Sequence, residues 1–493
     1  MSAPRILDHN GNELTLTAPA HPELLLSTWL SRNGYALNTR CGERGLCRGC
    51  EVLSENGPLK ACQTRLASLC GQALTLPRTS RHDGSIHGVS TFEIAPNLLE
   101  SLAPLPTANG VALDIGTTTL AASFWSGSPP RCERTATRAN PQRAYGDNVV
   151  SRIQFSFDHA DGLQTLREVL LKEGIHPLLH EICGEQIPEQ LLITGNPAML
   201  HILAGVSLKG LTSWPFAPAF LDTRDVPPGE LGLSPQTRVT LLPSIGPFVG
   251  SDVLAGALAC GCLEVEAPAL LIDFGTNGEI LLRTKEGLWA TATAAGPAFE
   301  GGRLQCGAAA GRGVISRFVE AAELITSTNP LHAQAHGISG AAYVDAIALA
   351  HQSGWLTDSG RLSKQNPLQP APSVIITEAD IAELLQAKAA IQAGWTTLCE
   401  EAKIDPARLQ HVYVAGGFGY HLTPAHAQAI GLLPPVPLDR VHLVGNASLA
   451  GATLALLTAG ALPRMETERT RARLVELNQI PSFEDHYIDS LMI

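Results

Sequence analysis

Four cysteines stand at positions 41, 47, 50 and 62, the first three inside CGERGLCRGC (residues 41–50), with Gly42, Gly45 and Gly49 between them. Thiolates this close together are metal or iron-sulfur ligands, since glycines let the backbone fold around a cluster and aim N–H groups at its sulfurs. A second pattern carries different chemistry. VALDIGTTTLAASFW (111–125) and ALLIDFGTNGEILLR (269–283) share the order apolar strand, Asp, apolar residue, Gly-Thr, polar turn, apolar strand. Glycine at such a bend admits close backbone approach, N–H groups and Thr hydroxyls donate to phosphate oxygens, and the Asp holds Mg2+ through water. One Asp-x-Gly-Thr is a common turn, but two copies imply two similar subdomains, each bringing a phosphate loop. In HVYVAGGFGYH (411–421) an apolar strand runs into Gly416, Gly417 and Gly419, which offer open backbone to an adenosine moiety.

Positioning these residues takes several elements. The 493 residues are 45% hydrophobic and 16% charged, which predicts a globular protein of two or three domains. The formal net charge of -12 argues against general affinity for nucleic acid or anionic membrane. The first residues lack a signal-peptide pattern, and no apolar run approaches about eighteen residues, so a cytoplasmic location is expected. Eleven cysteines in a reducing compartment are seldom a disulfide framework. Cys70, Cys132, Cys183, Cys260, Cys262, Cys306 and Cys399 lack the company of the first four and read as small buried apolar residues. Around the cluster loop, the sequence predicts a hairpin at Asn10-Gly11, a helix through Leu24, Leu25, Trp29 and Leu30, and a hairpin at Asn56-Gly57 that returns Cys62 to the loop. Residues 79–109 read as a linker with a short helix at 97–102, able to let the cysteine domain move. Further on, a strand and helix fill 191–205, and Ala- and Gly-rich helices cover 250–261 and 444–457. A helix over 377–402 starts at Thr377 with Asp380 three residues on, close to a capping box. Residues 213–232 and 332–355 read as insertions.

The three-plus-one cysteine spacing resembles that of plant-type [2Fe-2S] ferredoxins, with structural zinc as the alternative. The two Asp-Gly-Thr elements and the glycine-rich strand, in this order, resemble the phosphate-1, phosphate-2 and adenosine motifs of the ASKHA superfamily of acetate and sugar kinases, Hsp70 chaperones and actin. Helices 250–261 and 444–457 would be its two connecting helices, able to slide at the hinge of the nucleotide cleft. A ferredoxin domain joined to an ASKHA domain resembles the reductive activators of corrinoid proteins. AAGPAFEGGRLQCG (294–307), the Ala387-Lys388 helix, VAGGFG, VGNASLAGA and the C-terminal tail extend the likeness over most of the chain.

The resemblance implies a multidomain α/β and α+β protein. A β-grasp ferredoxin-like domain would span 1–78, the linker 79–109, and an actin-like or Hsp70-like ATPase domain of two duplicated ribonuclease-H-like subdomains 110–465, with a tail at 466–493 packing on it. It implies ATP-dependent reduction of a corrinoid protein's Co(II) to Co(I), within a cobalamin-dependent methyltransferase system, by one electron from a [2Fe-2S] cluster on Cys41, Cys47, Cys50 and Cys62. Asp114 and Asp273 would position Mg2+, and Asp252 would orient the attacking water. Gly116, Thr117, Thr118, Thr119, Gly275, Thr276, Asn277 and Gly278 would cradle phosphates; Lys388, Gly416, Gly417 and Gly419 would meet adenosine. The electron donor is left unidentified and a homodimer is left open. Larger members carry a small extra domain after the linker, for which Val111 leaves no room. The alternatives are an ASKHA small-molecule kinase with a redox-sensing ferredoxin domain, an ATP-driven electron donor to another low-potential acceptor, and an Hsp70-type binding module. A fourth is the activator of 2-hydroxyacyl-CoA dehydratases, against which the separate cysteine domain counts.

Overall fold

The structure, a computed structural model, describes residues 4–8, 11–16, 24–33, 35, 37, 50–76, 92–146, 148–266, 268–275, 277–309, 311, 313–325, 334–363 and 368–493. At the N-terminus, β1 (Arg5–Leu7), β2 (Glu51–Ser54), β3 (Gly57–Lys60) and β4 (Ala73–Thr75) form a mixed sheet in the order β1-β4-β2-β3. Helix Leu26–Arg32 packs its Leu26, Trp29 and Leu30 into one core with Ile6, Val52 and Leu74. The expected turn at Gly11 is present, with Gly11 at φ 85°, and is followed by a single bridge, Leu7 to Glu13. The β2–β3 hairpin turns at Gly57, whose φ of 109° suits glycine alone.

The body is built twice on one plan. Strands β5 (Ala108–Ile115), β6 (Thr119–Gly127) and β7 (Arg131–Ala139) run as an antiparallel meander; β8 (Gln190–Gly195) and β10 (Arg238–Leu241) continue the sheet in parallel, and β9 (Arg224–Val226) closes its edge. The second sheet repeats the meander with β11 (Ala269–Phe274), β12 (Gly278–Thr284) and β13 (Gly287–Thr293). Small two-stranded sheets follow: β14 (Val314–Ile315) with β15 (Gly337–Ile338), and β16 (Leu368–Ala371) with β17 (Val374–Ile376). Strands β18 (His411–Ala415) and β19 (Val441–Gly445) then add in parallel beside β11, and β20 (Arg473–Leu474) pairs with β13. The meander plus two parallel strands in each half is the duplication that the sequence repeat predicts.

Each half is followed by an apolar helix, Ser251–Ala259 after β10 and Ala447–Leu457 after β19. Both lie between the sheets, in a core that takes Ala112 and Leu192 from one sheet and Leu271 and Leu281 from the other. They cross closely because of glycine: a Cβ on Gly451 would lie 2.2 Å from Ala255 O, and one on Gly256 would lie 3.0 Å from Ala447 Cβ.

Three expectations are corrected. Residues 92–108 of the expected linker are bonded to the body, through a bridge from Phe92 to Gly445 and a hydrogen bond from Ala95 N–H to Ala259 O. The expected insertion at 332–355 holds a core helix, Gly340–Gln352, in which Tyr343, Val344 and Ile347 are fully buried. The one at 213–232 supplies β9, and its Trp214 donates to Glu476 Oε2 at 2.8 Å, joining the first half to the C-terminal tail. Their polar, Pro- and Gly-containing ends hid these roles from periodicity. Helix Glu378–Glu401 matches its expected span, with a Thr377–Asp380 capping box.

Candidate functional site

Asp114 lies at the end of β5, and the turn after it closes with Gly116 N–H donating to Thr119 O at 3.0 Å. A Cβ on Gly116 would come within 2.7 Å of that oxygen, so the bend requires glycine. The carbonyls of this loop are drawn inward. Asn140 donates from Nδ2 to Gly116 O (2.9 Å) and from its backbone to Thr118 O (2.9 Å), while fully buried Arg152 donates from Nη2 to Thr117 O (2.5 Å). Engaging these acceptors takes negative dipole ends away from an incoming anion, which is what a phosphate loop needs. Asn140 and Arg152 are positioning residues missed in the sequence, where an Asn-Pro turn and an Arg in an amphipathic helix are unremarkable. Thr117 Oγ1 accepts from Asn196 Nδ2 at 3.0 Å, and Thr118 Oγ1 donates to Glu300 Oε2 at 3.0 Å. The second of these bonds joins the two halves.

The second loop follows β11, which puts Asp273 opposite Glu279 on β12 and Ala415 on β18. Gly275 N–H donates to Asn277 O at 3.0 Å, and a Cβ on Gly278 would lie 2.0 Å from Ile391 Cδ1 on the long helix. Thr276 lies outside the described residues. Gly416 has φ 87°, and a Cβ there would fall 2.4 Å from Phe274 O and 3.0 Å from Asp273 Oδ1. The short helix Gly416–Gly419, which holds Gly417, therefore begins against the second phosphate loop. Gly419 packs on Val414, and Phe418 packs on Phe274 and Phe299 beneath.

Four acids share this region, Asp114 and Glu279 buried and Asp252 and Asp273 half-buried. Burial, then the charge of Asp252, raises Asp114 to about 7, opposed by hydrogen bonds from Ser448 and Asn446. Those bonds are Ser448 Oγ to Asp114 Oδ1 (2.9 Å) and Asn446 Nδ2 to Asp114 Oδ2 (3.1 Å), so the second connecting helix grips the carboxylate of the first loop. Burial and the charges of Asp252 and Asp114 raise Asp273 to about 8. Asp252, in the first turn of helix Ser251–Ala259, is raised by burial to about 6 despite its bond from Val253 N–H. Glu279 is pushed well up by burial and by Asp252 and Asp273. It too was missed, its one signal being an acid in the otherwise apolar strand after Gly278. Among the described residues no three His, Cys, Asp or Glu side chains converge tightly enough to hold an ion directly. A set of acids that feel one another without converging fits Mg2+, which keeps several waters and reaches protein carboxylates partly through them.

Lys388 does not face this cleft with a free ammonium group. It is buried, and its Nζ donates to Gln392 Oε1 (2.8 Å), Ser490 O (2.7 Å) and Met492 O, which uses all three of its protons. The expected adenosine contact is replaced by anchorage of the C-terminal tail, and burial lowers its pKa to about 8. Helix Ser482–Asp489 packs along the same long helix, where Thr397 bonds His486 at 3.0 Å.

At the N-terminus, Cys50 and Cys62 are both buried and adjacent, since Ala61 N–H donates to Cys50 O at 3.1 Å. The β2–β3 hairpin thus returns Cys62 to the end of the cysteine loop, and Gln63 Nε2 lies 3.7 Å from its sulfur. Two buried cysteines on neighbouring backbone fit half of a cluster's ligand set; Cys41 and Cys47 lie outside the described residues. Of the other cysteines, Cys70 and Cys132 are exposed, against expectation, because each sits on an outer turn or strand.

Two protein-family models match the chain: "RACo middle region" over residues 109–264 and "C-terminal domain of RACo the ASKHA domain" over 267–493. The middle-region model falls on the stretch that carries the first phosphate loop. The chain is 28% identical over 426 residues to the corrinoid activation enzyme RamQ of Eubacterium limosum, covering 78% of this chain and 70% of the relative. It is 26% identical over 377 residues to a [Co(II) methylated amine-specific corrinoid protein] reductase of Methanosarcina barkeri, covering 69% and 68%. The fold is similar to that of a solved reductive activator for corrinoid, iron-sulfur protein, with a TM-score of 0.68 and 24% identity, covering 99% of this chain and 98% of that one.

Proposed function

The chain belongs to the reductive activators of corrinoid proteins, and from that premise we propose that it returns a corrinoid protein from Co(II) to Co(I) in a step gated by MgATP. The observation that carries the ATP gate is the double hold on Asp114, a first-loop carboxylate bonded by Asn446 and Ser448 at the start of the second connecting helix. Phosphate or Mg2+ arriving at that carboxylate acts directly on an element shared by both halves. Gly116, Thr117, Thr118, Thr119, Gly275, Thr276, Asn277 and Gly278 receive the phosphates, and Gly416, Gly417 and Gly419 receive adenosine. Asp114 and Asp273, with Glu279 beside them, neutralise Mg2+ and its waters. Asp252, at the head of the first connecting helix, orients the attacking water as its acceptor.

A [2Fe-2S] cluster on Cys41, Cys47, Cys50 and Cys62, in a ferredoxin-like N-terminal domain, would supply one electron at a potential of about -400 mV. The balance is one electron lost by the donor and one gained by cobalt, without proton transfer. ATP drives an unfavourable reduction only by favouring a conformation that binds or presents the Co(II) partner differently. No helix among the described residues is long and apolar enough to cross a membrane, and the partners proposed are a corrinoid protein of a methyltransferase system and an unidentified electron donor in the cytoplasm.

The test is anaerobic. The protein is reduced chemically, freed of excess reductant and mixed with a Co(II) corrinoid protein from the same cell, and the cluster and Co(I) absorbances are followed with and without MgATP. Co(I) that forms only with MgATP, as the cluster oxidises and its visible absorbance returns, is the expected result; equal oxidation without ATP would refute the gate.

A further inference from the structure

Residues 92–105 are fastened to both helices that lie between the sheets. Ala95 N–H donates to Ala259 O, the last residue of the first connecting helix, and Leu105 N–H donates to Leu457 O, the last residue of the second, each at 2.8 Å. Such C-terminal carbonyls have no partner within their own helix. The segment beyond the second helix bonds back: Ala459 N–H donates to Ala103 O at 3.0 Å and Gly460 N–H to Leu102 O at 2.9 Å. At the other end of that helix, Phe92 bridges Gly445, the residue immediately before Asn446, whose amide holds Asp114. The fit is close, for a Cβ on Gly460 would lie 2.9 Å from Leu102 O and one on Gly261 would lie 3.2 Å from Ala95 Cβ.

We propose that residues 92–105 are a coupling strap: a shift of one connecting helix against the other, set by nucleotide at Asp114, is imposed on this segment and through it on the residues leading to the cysteine-bearing sheet. The proposal deepens the ATP-gated reading and rests on it. Packed helices at domain hinges slide by about 1–2 Å. A backbone hydrogen bond at 2.8 Å weakens steeply under such a stretch. A strap anchored at one point on each helix must therefore move with them or lose an anchor. The glycine-lined crossing at Gly451 and Gly256 leaves the two helices free of interlocking side chains at the point where they would slide.

The test uses the full-length protein, with MgAMP-PNP as the nucleotide and amide hydrogen exchange as the readout, while calorimetry records binding separately. Exchange over residues 92–105 and 458–460 is expected to change by about threefold or more on binding, as the slide strains or resets the anchoring bonds. Ala95→Pro and Leu105→Pro each delete one strap donor and leave the phosphate loops untouched. ATP hydrolysis by these variants is expected to stay within about twofold of the parent, while MgATP stimulation of Co(II) reduction falls about tenfold, an ordinary coupling strength. Nucleotide binding with no change in strap exchange in the parent protein overturns the strap and leaves the ATP reading standing, whether or not the proline variants fold. Folded variants with full stimulation overturn it too. Absence of binding would overturn the ATP reading and the strap together.

Discussion

Replacing Gly451 with alanine tests the claim that the two connecting helices cross on glycine. The added Cβ would meet Ala255 at 2.2 Å from its carbonyl oxygen, 2.3 Å from its carbonyl carbon and 2.5 Å from its Cβ. Ordinary contact begins near 3.4 Å, so the helices must part by about an ångström, and the obstacle is mostly backbone that no rotamer change can clear. Overpacking of this kind costs about 1–3 kcal/mol. At about 1.3 °C per kcal/mol, from an unfolding entropy of about 2.1 cal/mol/K per residue over roughly 360 residues, the melting temperature should fall by about 1–4 °C. Gly256→Ala is the graded control: its Cβ would be 3.0 Å from Ala447 Cβ, a contact that a small shift relieves, so its loss should be well under half as large. The displacement also moves Asn446 and Ser448, at the head of the same helix, relative to Asp114. Nucleotide affinity should therefore weaken together with stability in Gly451→Ala. Differential scanning calorimetry and nucleotide titration check both. Equal melting temperatures for parent, Gly256→Ala and Gly451→Ala would refute the crossing geometry.

Further outcomes follow from single groups. Cys62→Ser should abolish the visible absorbance of the anaerobically reconstituted protein and leave nucleotide binding intact, as read by spectrophotometry beside calorimetry. Glu300→Gln removes a negative charge bonded to a phosphate-loop hydroxyl; relief of repulsion against incoming phosphate should tighten MgATP binding up to about tenfold, and weaker binding would assign Glu300 to the Mg2+ side instead. Lys388→Met strips Ser490 and Met492 of their buried donor, at a cost of about 2 kcal/mol, and limited proteolysis should then cut first at sites beyond residue 471. Asp114 and Asp273 stay protonated to about 7 and about 8 in the fold against an ordinary 3.8, so the folded protein binds more protons than the unfolded one across that window. Their contribution is complete below about pH 4 and is lost as pH rises through 7 and 8. Because Mg2+ favours the ionised acids, it should raise the melting temperature more at about pH 8 than at about pH 6; an equal or reversed response would place Mg2+ elsewhere.

Repetition and punctuation carried the legible part of the fold. The duplicated strand-Asp-Gly-Thr-strand pattern announces two like sheets because each copy is a local hairpin, and Thr377 with Asp380 marks a helix start because capping is local. The Ala- and Gly-rich runs that become connecting helices are readable for the same reason. What escaped depends on tertiary placement. Lys388 reads as a solvated or ligand-facing lysine, and only the arrival of Ser490 and Met492, about a hundred positions away, turns it into a tail anchor. Residues 92–105 read as a linker because their bonds run to helix ends more than 150 positions distant, and a Pro-punctuated stretch has no periodic signal. Arg152 and Asn140 serve the phosphate loop through its carbonyls, a role invisible without the loop's orientation.

The same geometry bounds how much coupling the protein needs. A tenfold preference of a Co(II) partner for the nucleotide-bound form corresponds to about 1.4 kcal/mol, and a hundredfold one to about 2.7. One hydrogen bond to a buried charged acceptor, at about 1.5–3 kcal/mol, already matches that range. Asp114 accepts two such bonds from the head of the second connecting helix, while burial, and then the charge of the neighbouring acids, holds Asp114 and Asp273 against ionising. In the proposed mechanism Mg2+ would reverse that resistance by drawing the acids into their charged forms, which would strengthen the bonds from Asn446 and Ser448 as nucleotide enters. Binding at the first loop would thus tighten the hold on the helix whose far end, at Leu457, bonds to the proposed strap. The proposed ATP gate requires no larger rearrangement.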